Sequence, residues 1–174
     1  MSVTPGPIHP MLAPLAHVAR EVSRARTAES SKRLANALRL ALRQSKAWLR
    51  PEHRVGDPGA YMRHLLYTDA DGDFVITAIA WLPGQQSQIH GHRVWCAYGV
   101  VEGELNEEQF LVEPGQPIGP LKTTVYGAGE LADQDLEGKL VHRVSNRGTV
   151  PLVSLHLYGV SGDKLTTGIN RIYG

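Results

Sequence analysis

Cysteine is almost missing from this chain of 174 residues: Cys96 stands alone, so no internal disulfide can form and cysteine-built zinc ribbons are excluded. A reducing, cytoplasmic setting is the default expectation. Long apolar runs are missing as well. No stretch reaches the roughly 18 residues that mark a membrane span, and no basic start followed by an apolar segment marks an export signal. Acidic residues are scarce at one end, where residues 1–50 hold nine Lys or Arg against Glu21 and Glu29, although the whole chain is nearly balanced at +1. Such a basic segment could meet nucleic acid, but no aromatics are interleaved with its charges. A solvated helix face lying on an acidic barrel is the simpler expectation. No nucleic-acid, membrane or obligatory protein partner is therefore expected.

Glycine and proline are plentiful, 18 and 11, and they separate short apolar runs in a way that suits a barrel of strands better than a helical bundle. Residues 1–10 hold three prolines and are expected to be poorly ordered or draped on the surface. Two helices should follow. Leu12, Leu15, Val18 and Val22 fall at helical spacing between Met11 and about Arg26, and a second stripe of Leu34, Leu38, Ala41, Leu42 and Leu49 runs from Ala28 past Trp48, with Arg39, Arg43 and Lys46 opposite it. Pro51 stops that helix. The spacing thus predicts one domain: an N-terminal helical segment over 1–50 and a β-barrel over 51–174.

Strands are expected in YMRHLLYTD, in FVITAIAWLPG, and in the run through His90, with Leu105 to Val112 as its hairpin partner after Glu102-Gly103. Pro114 to Pro120 reads as a loop, Leu121 to Tyr126 and Leu140 to Ser145 as strands, Val150 to Val160 as the last long strand, and the tail as a short one. His90 and His92 are separated by one residue, so on a strand both rings leave the same face, about 7 Å apart at the backbone for a rise of roughly 3.3 Å per residue. One ion can hold both. His142 downstream would complete a facial set of three neutral donors. The usual non-haem iron triad is two histidines and a carboxylate, yet the four residues after His92 are Arg93, Val94, Trp95 and Cys96. That argues for a three-histidine site, which on ligands alone zinc could also occupy. On the last strand Ser154, His156 and Tyr158 alternate with Val153, Leu155 and Leu157, so three polar groups share one face and can relay hydrogen bonds toward a metal.

The pattern G-x5-H-x-H from Gly84, answered by H-x3-N from His142 to Asn146, resembles the two signature stretches of the cupin superfamily. More narrowly, YMRHLL, IHGH, HRVSN and SLHLYG resemble the cysteine dioxygenase family of thiol dioxygenases over roughly residues 48–173. The resemblance implies a mainly β, cupin (double-stranded β-helix or jelly-roll) barrel with two N-terminal α-helices packed on it. It implies Fe(II) held by His90, His92 and His142, a relay of Ser154, His156 and Tyr158, and Arg63, with Tyr61 beside it, gripping a substrate carboxylate. A planar guanidinium can take a carboxylate through two parallel hydrogen bonds. The expected reaction is the oxidation of L-cysteine by O2 to its sulfinate.

Two departures stand out. The family usually places an aspartate between the first two ligands, and here that residue is Gly91, which removes a local support for a ligand. Some members also join a cysteine to the relay tyrosine; counting from the ligands places Ala97 at that position, so no thioether is expected, whereas strict alternation puts Cys96 on the ligand face. Branches preferring 3-mercaptopropionate are expected to carry glutamine where this chain has Arg63. Other readings are a dioxygenase of 3-mercaptopropionate or mercaptosuccinate, the latter using Arg93 for a second carboxylate, a non-catalytic ligand-binding or regulatory cupin, and a zinc or nickel isomerase.

Overall fold

The computed structural model describes residues 7–112, 118–132 and 134–173. The first six residues and most of the loop expected from Pro114 lie outside them. Pro10–Leu12 form a single 3-10 turn leading into α1 (Ala13–Arg24). Thr27 then caps α2 (Ala28–Arg43): its Oγ1 accepts from Ser30 N at 3.0 Å while Ser30 Oγ accepts from Thr27 N at 2.9 Å, which satisfies two of the donors a helix start leaves free. The expected second helix is broken at Gln44, and its last turn is a separate α3 (Ser45–Trp48).

Among the described residues nine strands follow: β1 (Met62–Thr68), β2 (Val75–Trp81), β3 (His90–His92), β4 (Cys96–Glu102), β5 (Glu104–Leu111), β6 (Gly119–Gly127), β7 (Val141–Ser145), β8 (Leu152–Tyr158) and β9 (Asn170–Ile172). They form two antiparallel sheets, ordered β1-β2-β8-β4 and β6-β5-β7-β3-β9, the mainly β cupin architecture with helices at its N-terminal end. Two expectations are corrected here. The histidine run is not one strand, because Arg93 to Trp95 leave the ladder and β3 and β4 fall in different sheets. Nor is β5 the hairpin partner of β4, since it pairs with β6 and β7. Gly103, at φ +80°, turns the chain from one sheet to the other; there a glycine adopts without penalty a conformation other residues rarely hold.

Strands β2 and β8 are buried on both faces, so their alternate side chains serve two cores. Ile76, Ala78, Leu155 and Leu157 pack with Leu15, Val22, Leu34 and Leu38 of the helices. Val75, Ile79, Trp81 and Tyr98 face Leu105 and Val144 inside the barrel. Gly99 lets α2 approach β4 closely, since a Cβ there would lie 2.6 Å from Leu42 Cδ1 and 2.7 Å from the Glu130 carbonyl oxygen. Leu38 is fully buried in the helix-to-sheet core, so Leu38→Ala should cost about 2–5 kcal/mol. Urea unfolding checks this, and an unchanged midpoint would contradict a shared core.

Part of the basic charge of the N-terminal segment is paired. Arg20 Nε donates to Asp69 Oδ1 at 3.0 Å, joining α1 to the turn after β1, and Arg33 lies 2.7 Å from Glu21. Arg39, Arg43 and Lys46 are exposed. Among the described residues, no helix is long and apolar enough to cross a membrane.

Candidate metal centre and substrate cavity

Register brings the histidines together. His90 on β3 lies directly across from His142 on β7, and directly opposed residues present their side chains on the same face. His92 leaves that face two residues on. The ring centroids are 5.2 Å (His90 to His92), 4.6 Å (His90 to His142) and 5.0 Å (His92 to His142) apart, and one nitrogen from each ring lies within 4.8 Å of the other two. All three are buried.

Each ring is held by its Nδ1. His90 Nδ1 lies 2.9 Å from the Gln88 carbonyl oxygen, His92 Nδ1 3.1 Å from Asp135 Oδ2, and His142 Nδ1 2.7 Å from Glu107 Oε1. An acceptor at Nδ1 places the proton there, leaving Nε2 of each neutral ring with a bare lone pair. His142 Nε2 is buried with no partner. Burial, helped by the neighbouring rings of His142 and His92, lowers the His90 pKa to about 3, and burial lowers that of His92 as well, despite Asp135. Three converging ring nitrogens, one of them buried without a partner, form a donor set that suits a divalent metal.

Sequence reasoning missed the groups behind these rings. The support lacking at Gly91 is supplied from elsewhere, and Gly91 itself has little room for a side chain: a Cβ would sit 3.1 Å from the Leu140 carbonyl oxygen and 3.3 Å from the Tyr173 ring. Glu107 on β5 is completely buried and accepts hydrogen bonds from His142, from the Tyr98 hydroxyl, from Tyr126 Oη at 3.2 Å and from Gln109 Nε2 at 3.2 Å. Burial alone would raise its pKa, but the bonds and attraction from His142 together with the Tyr98 bond carry it below the usual carboxylate value. Asp135 behaves alike: burial opposes ionisation, and bonds from His92 and the backbone of Leu140 and Lys139 overcome it. Two negative charges thus stand one ring behind the donor set. The hint for Glu107 was an acid alternating on β5 with the core residue Leu105. Asp135 lies in an irregular segment whose sequence carries no period.

The relay face of β8 points into the same space. Tyr158 Oη lies 3.0 Å from His156 Nδ1, and His156 Nε2 2.8 Å from Ser154 Oγ. Val153, Leu155 and Leu157 take the other face, against the helices. Burial keeps His156 neutral, its pKa well below the ordinary value, and holds the Tyr158 phenol well above its own. Trp81, also missed, donates its indole N–H to Ser154 Oγ at 2.9 Å.

The three histidines, His156, Tyr158, Arg63 and Tyr61 line one cavity, and Ser154 stands behind it. Arg63 Nη2 donates to Tyr61 Oη at 3.2 Å, its guanidinium carbon lies 5.0 Å from the Tyr61 ring centre, and Tyr61 packs on Trp81 at 4.3 Å. Arg63 Nε is buried without a partner. Arg93 is exposed and bonds the Asn170 carbonyl oxygen at 3.2 Å, away from the cavity. The count that put Ala97 opposite the relay tyrosine is corrected: Cys96 is the direct cross-strand partner of Tyr158 and packs in the barrel interior, whereas Ala97 faces the helices. The break after β3 upsets a count carried along from the ligands. The Cys96 thiol is free, and burial pushes its pKa well above the ordinary value.

Among solved structures, the chain is similar to an uncharacterized conserved protein with a double-stranded beta-helix domain from Klebsiella pneumoniae, at 18% identity over 71% of this chain and 92% of that one, with a TM-score of 0.49. It is also similar to an oxalate oxidase in complex with the substrate analogue glycolate, at 20% identity and a TM-score of 0.47, covering 60% of this chain but about half, 53%, of that one. A profile of the cysteine dioxygenase type I family matches residues 12–165, a span that takes in both N-terminal helices and every residue of the cavity named above. On that match, the chain belongs to the cysteine dioxygenase type I family.

Proposed function

We propose that the protein is a non-haem iron thiol dioxygenase that oxidises L-cysteine with O2 to cysteine sulfinate, with His90, His92 and His142 as ligands of Fe(II). The observation that carries the substrate class is Arg63, the one permanently charged side chain among the described residues lining the cavity. One cationic fork beside three neutral donors suits a small thiol bearing one carboxylate. A dicarboxylate such as mercaptosuccinate would bring a second charge with no partner, since Arg93 lies elsewhere. When bound, ferrous iron would favour the thiolate over the thiol and supply the electrons that activate O2.

The chain's own groups then divide the work. Arg63 grips the carboxylate through its unfilled Nε and terminal nitrogens, and the Tyr61 ring, backed by Trp81, keeps the guanidinium from swinging away. This anchor fixes the distance from carboxylate to sulfur and holds the thiol in reacting geometry. Tyr158, held as a phenol, presents its hydroxyl to the substrate. Burial of the rings excludes bulk water, and both oxygen atoms of O2 end on sulfur.

No carboxylate lines the cavity among the described residues, which favours 3-mercaptopropionate as a second reading because a substrate ammonium would find no counter-charge. Oxygen uptake and sulfinate formation with cysteine, 3-mercaptopropionate and mercaptosuccinate, beside the metal content of protein purified without added metal, test the proposal. Cysteine should give the highest kcat/KM and iron should be the bound metal. No uptake with any thiol, or zinc at full occupancy with iron unable to support turnover, would discard it. Arg63→Gln should lower kcat/KM for cysteine by about 10–100-fold, the loss expected for a charge-assisted contact of about 1.5–3 kcal/mol, acting mainly through KM. An unchanged KM for cysteine would remove Arg63 from substrate binding.

A further inference from the structure

The Ser154–His156–Tyr158 chain can run in either of two proton orders, and the two leave Tyr158 with opposite roles. In one, Ser154 donates to His156 Nε2, the ring proton sits on Nδ1 and is given to Tyr158 Oη, and the phenolic hydrogen is free to point into the cavity. In the other, His156 Nε2–H donates to Ser154, Nδ1 accepts the phenolic hydrogen, and Tyr158 offers the cavity only lone pairs. Distances alone do not separate them, because hydrogens are placed by the network they belong to.

Trp81 separates them. Its indole N–H, 2.9 Å from Ser154 Oγ, can only donate, so it takes up one acceptor site of a hydroxyl that is completely buried. The Ser154 hydrogen then needs an acceptor, and among the described residues the one other group bonded to Oγ is His156 Nε2, at 2.8 Å. In the reverse order Ser154 Oγ would accept from both sides and its own hydrogen would be buried without a partner. The cost of such an orphan corresponds to a bias of about tenfold or more between the tautomers. His156 cannot evade the choice by taking a second proton, since it is fully buried, stacked flat on Tyr98 at 4.7 Å and 1°, and held neutral by that burial.

We propose that Trp81 is a positioning residue that sets the direction of this relay, fixing His156 as its Nδ1–H tautomer and making Tyr158 a hydrogen-bond donor toward the substrate. The role assigned to the substrate rests on the proposed function; the tautomer does not.

Long-range 15N–1H NMR spectra of the histidine side chains of the full chain, with zinc in place of iron to keep the lines sharp, read the tautomer directly. His156 is assigned by its loss in His156→Gln. In the unaltered protein Nδ1 should be protonated and Nε2 bare, whether or not the protein oxidises any thiol. A protonated Nε2 overturns the proposal without any variant. In Trp81→Phe, which keeps a ring against Tyr61 but removes the donor, the Nε2–H form should gain at least about tenfold in relative population; an unchanged ratio removes Trp81 from the role. In turnover, Trp81→Phe should lower kcat about tenfold with little change in KM, and should have no further effect when Tyr158 is already phenylalanine. Additive losses in the double variant would assign Trp81 a packing role and overturn the proposal.

Discussion

Replacing His142 with alanine is expected to strip the protein of bound metal and, on the proposed function, of thiol-dependent oxygen uptake, while leaving its circular dichroism unchanged. His142 is the ring whose Nε2 is buried with nothing to bond, and it sits across the ladder from His90. Without it two donors remain, and the metal loses both a bond and the hydrogen-bonded support of Glu107. Groups behind a ligand are commonly worth 10–100-fold in metal affinity, so removal of the ligand itself should cost more than about 100-fold. The polar network has enough other members to keep the barrel closed, since Glu107 still accepts from Tyr98 and Tyr126. Iron analysis beside oxygen-electrode traces checks this. A variant that kept a full complement of metal and turned over would take His142 out of the centre.

Glu107→Gln should produce the second largest change. The carboxylate gathers His142, Tyr98, Tyr126 and Gln109, and it can accept from all of them because it has only acceptor sites. An amide of the same shape turns two of those sites into donors, which then face hydroxyl or N–H groups. The His142 ring also loses the anion that orients it and strengthens its free nitrogen. Metal affinity measured by competition with a chelator should fall by about 10–100-fold, with kcat/KM falling in parallel at limiting metal. Tyr98 carries the disturbance further, because its ring stacks on His156 while its hydroxyl holds Glu107. Unaltered affinity would mean that the carboxylate only fills space.

The contrast between these two residues explains what the sequence made legible. His90, His92 and His142 could be grouped because strand alternation and a buried register act over one or two residues, and Ser154, His156 and Tyr158 because a strand with both faces buried must send its polar set to an interior. The two helices announced themselves through their stripes. Glu107 and Asp135 were harder. Each matters through a bond to a residue far away in the chain, Glu107 to His142 and Asp135 to His92, and no local period records such a bond. The same holds for Trp81, which read as one more apolar residue on β2 until its indole was seen against Ser154. The misplaced hairpin and the Ala97 count share a cause: a continuous run of strand-forming residues conceals the corners at Arg93 to Trp95 and Gly103, where the chain passes from one sheet to the other.

Strand β9 lies along the whole of β3, with Asn170, Arg171 and Ile172 opposite His92, Gly91 and His90, although it falls beyond the residues the family profile matches. The ligand strand is therefore flanked by β7 on one side and by β9 on the other. Both edges of this three-residue strand are occupied, so the backbone that carries His90 and His92 is held from two sides before any ion arrives.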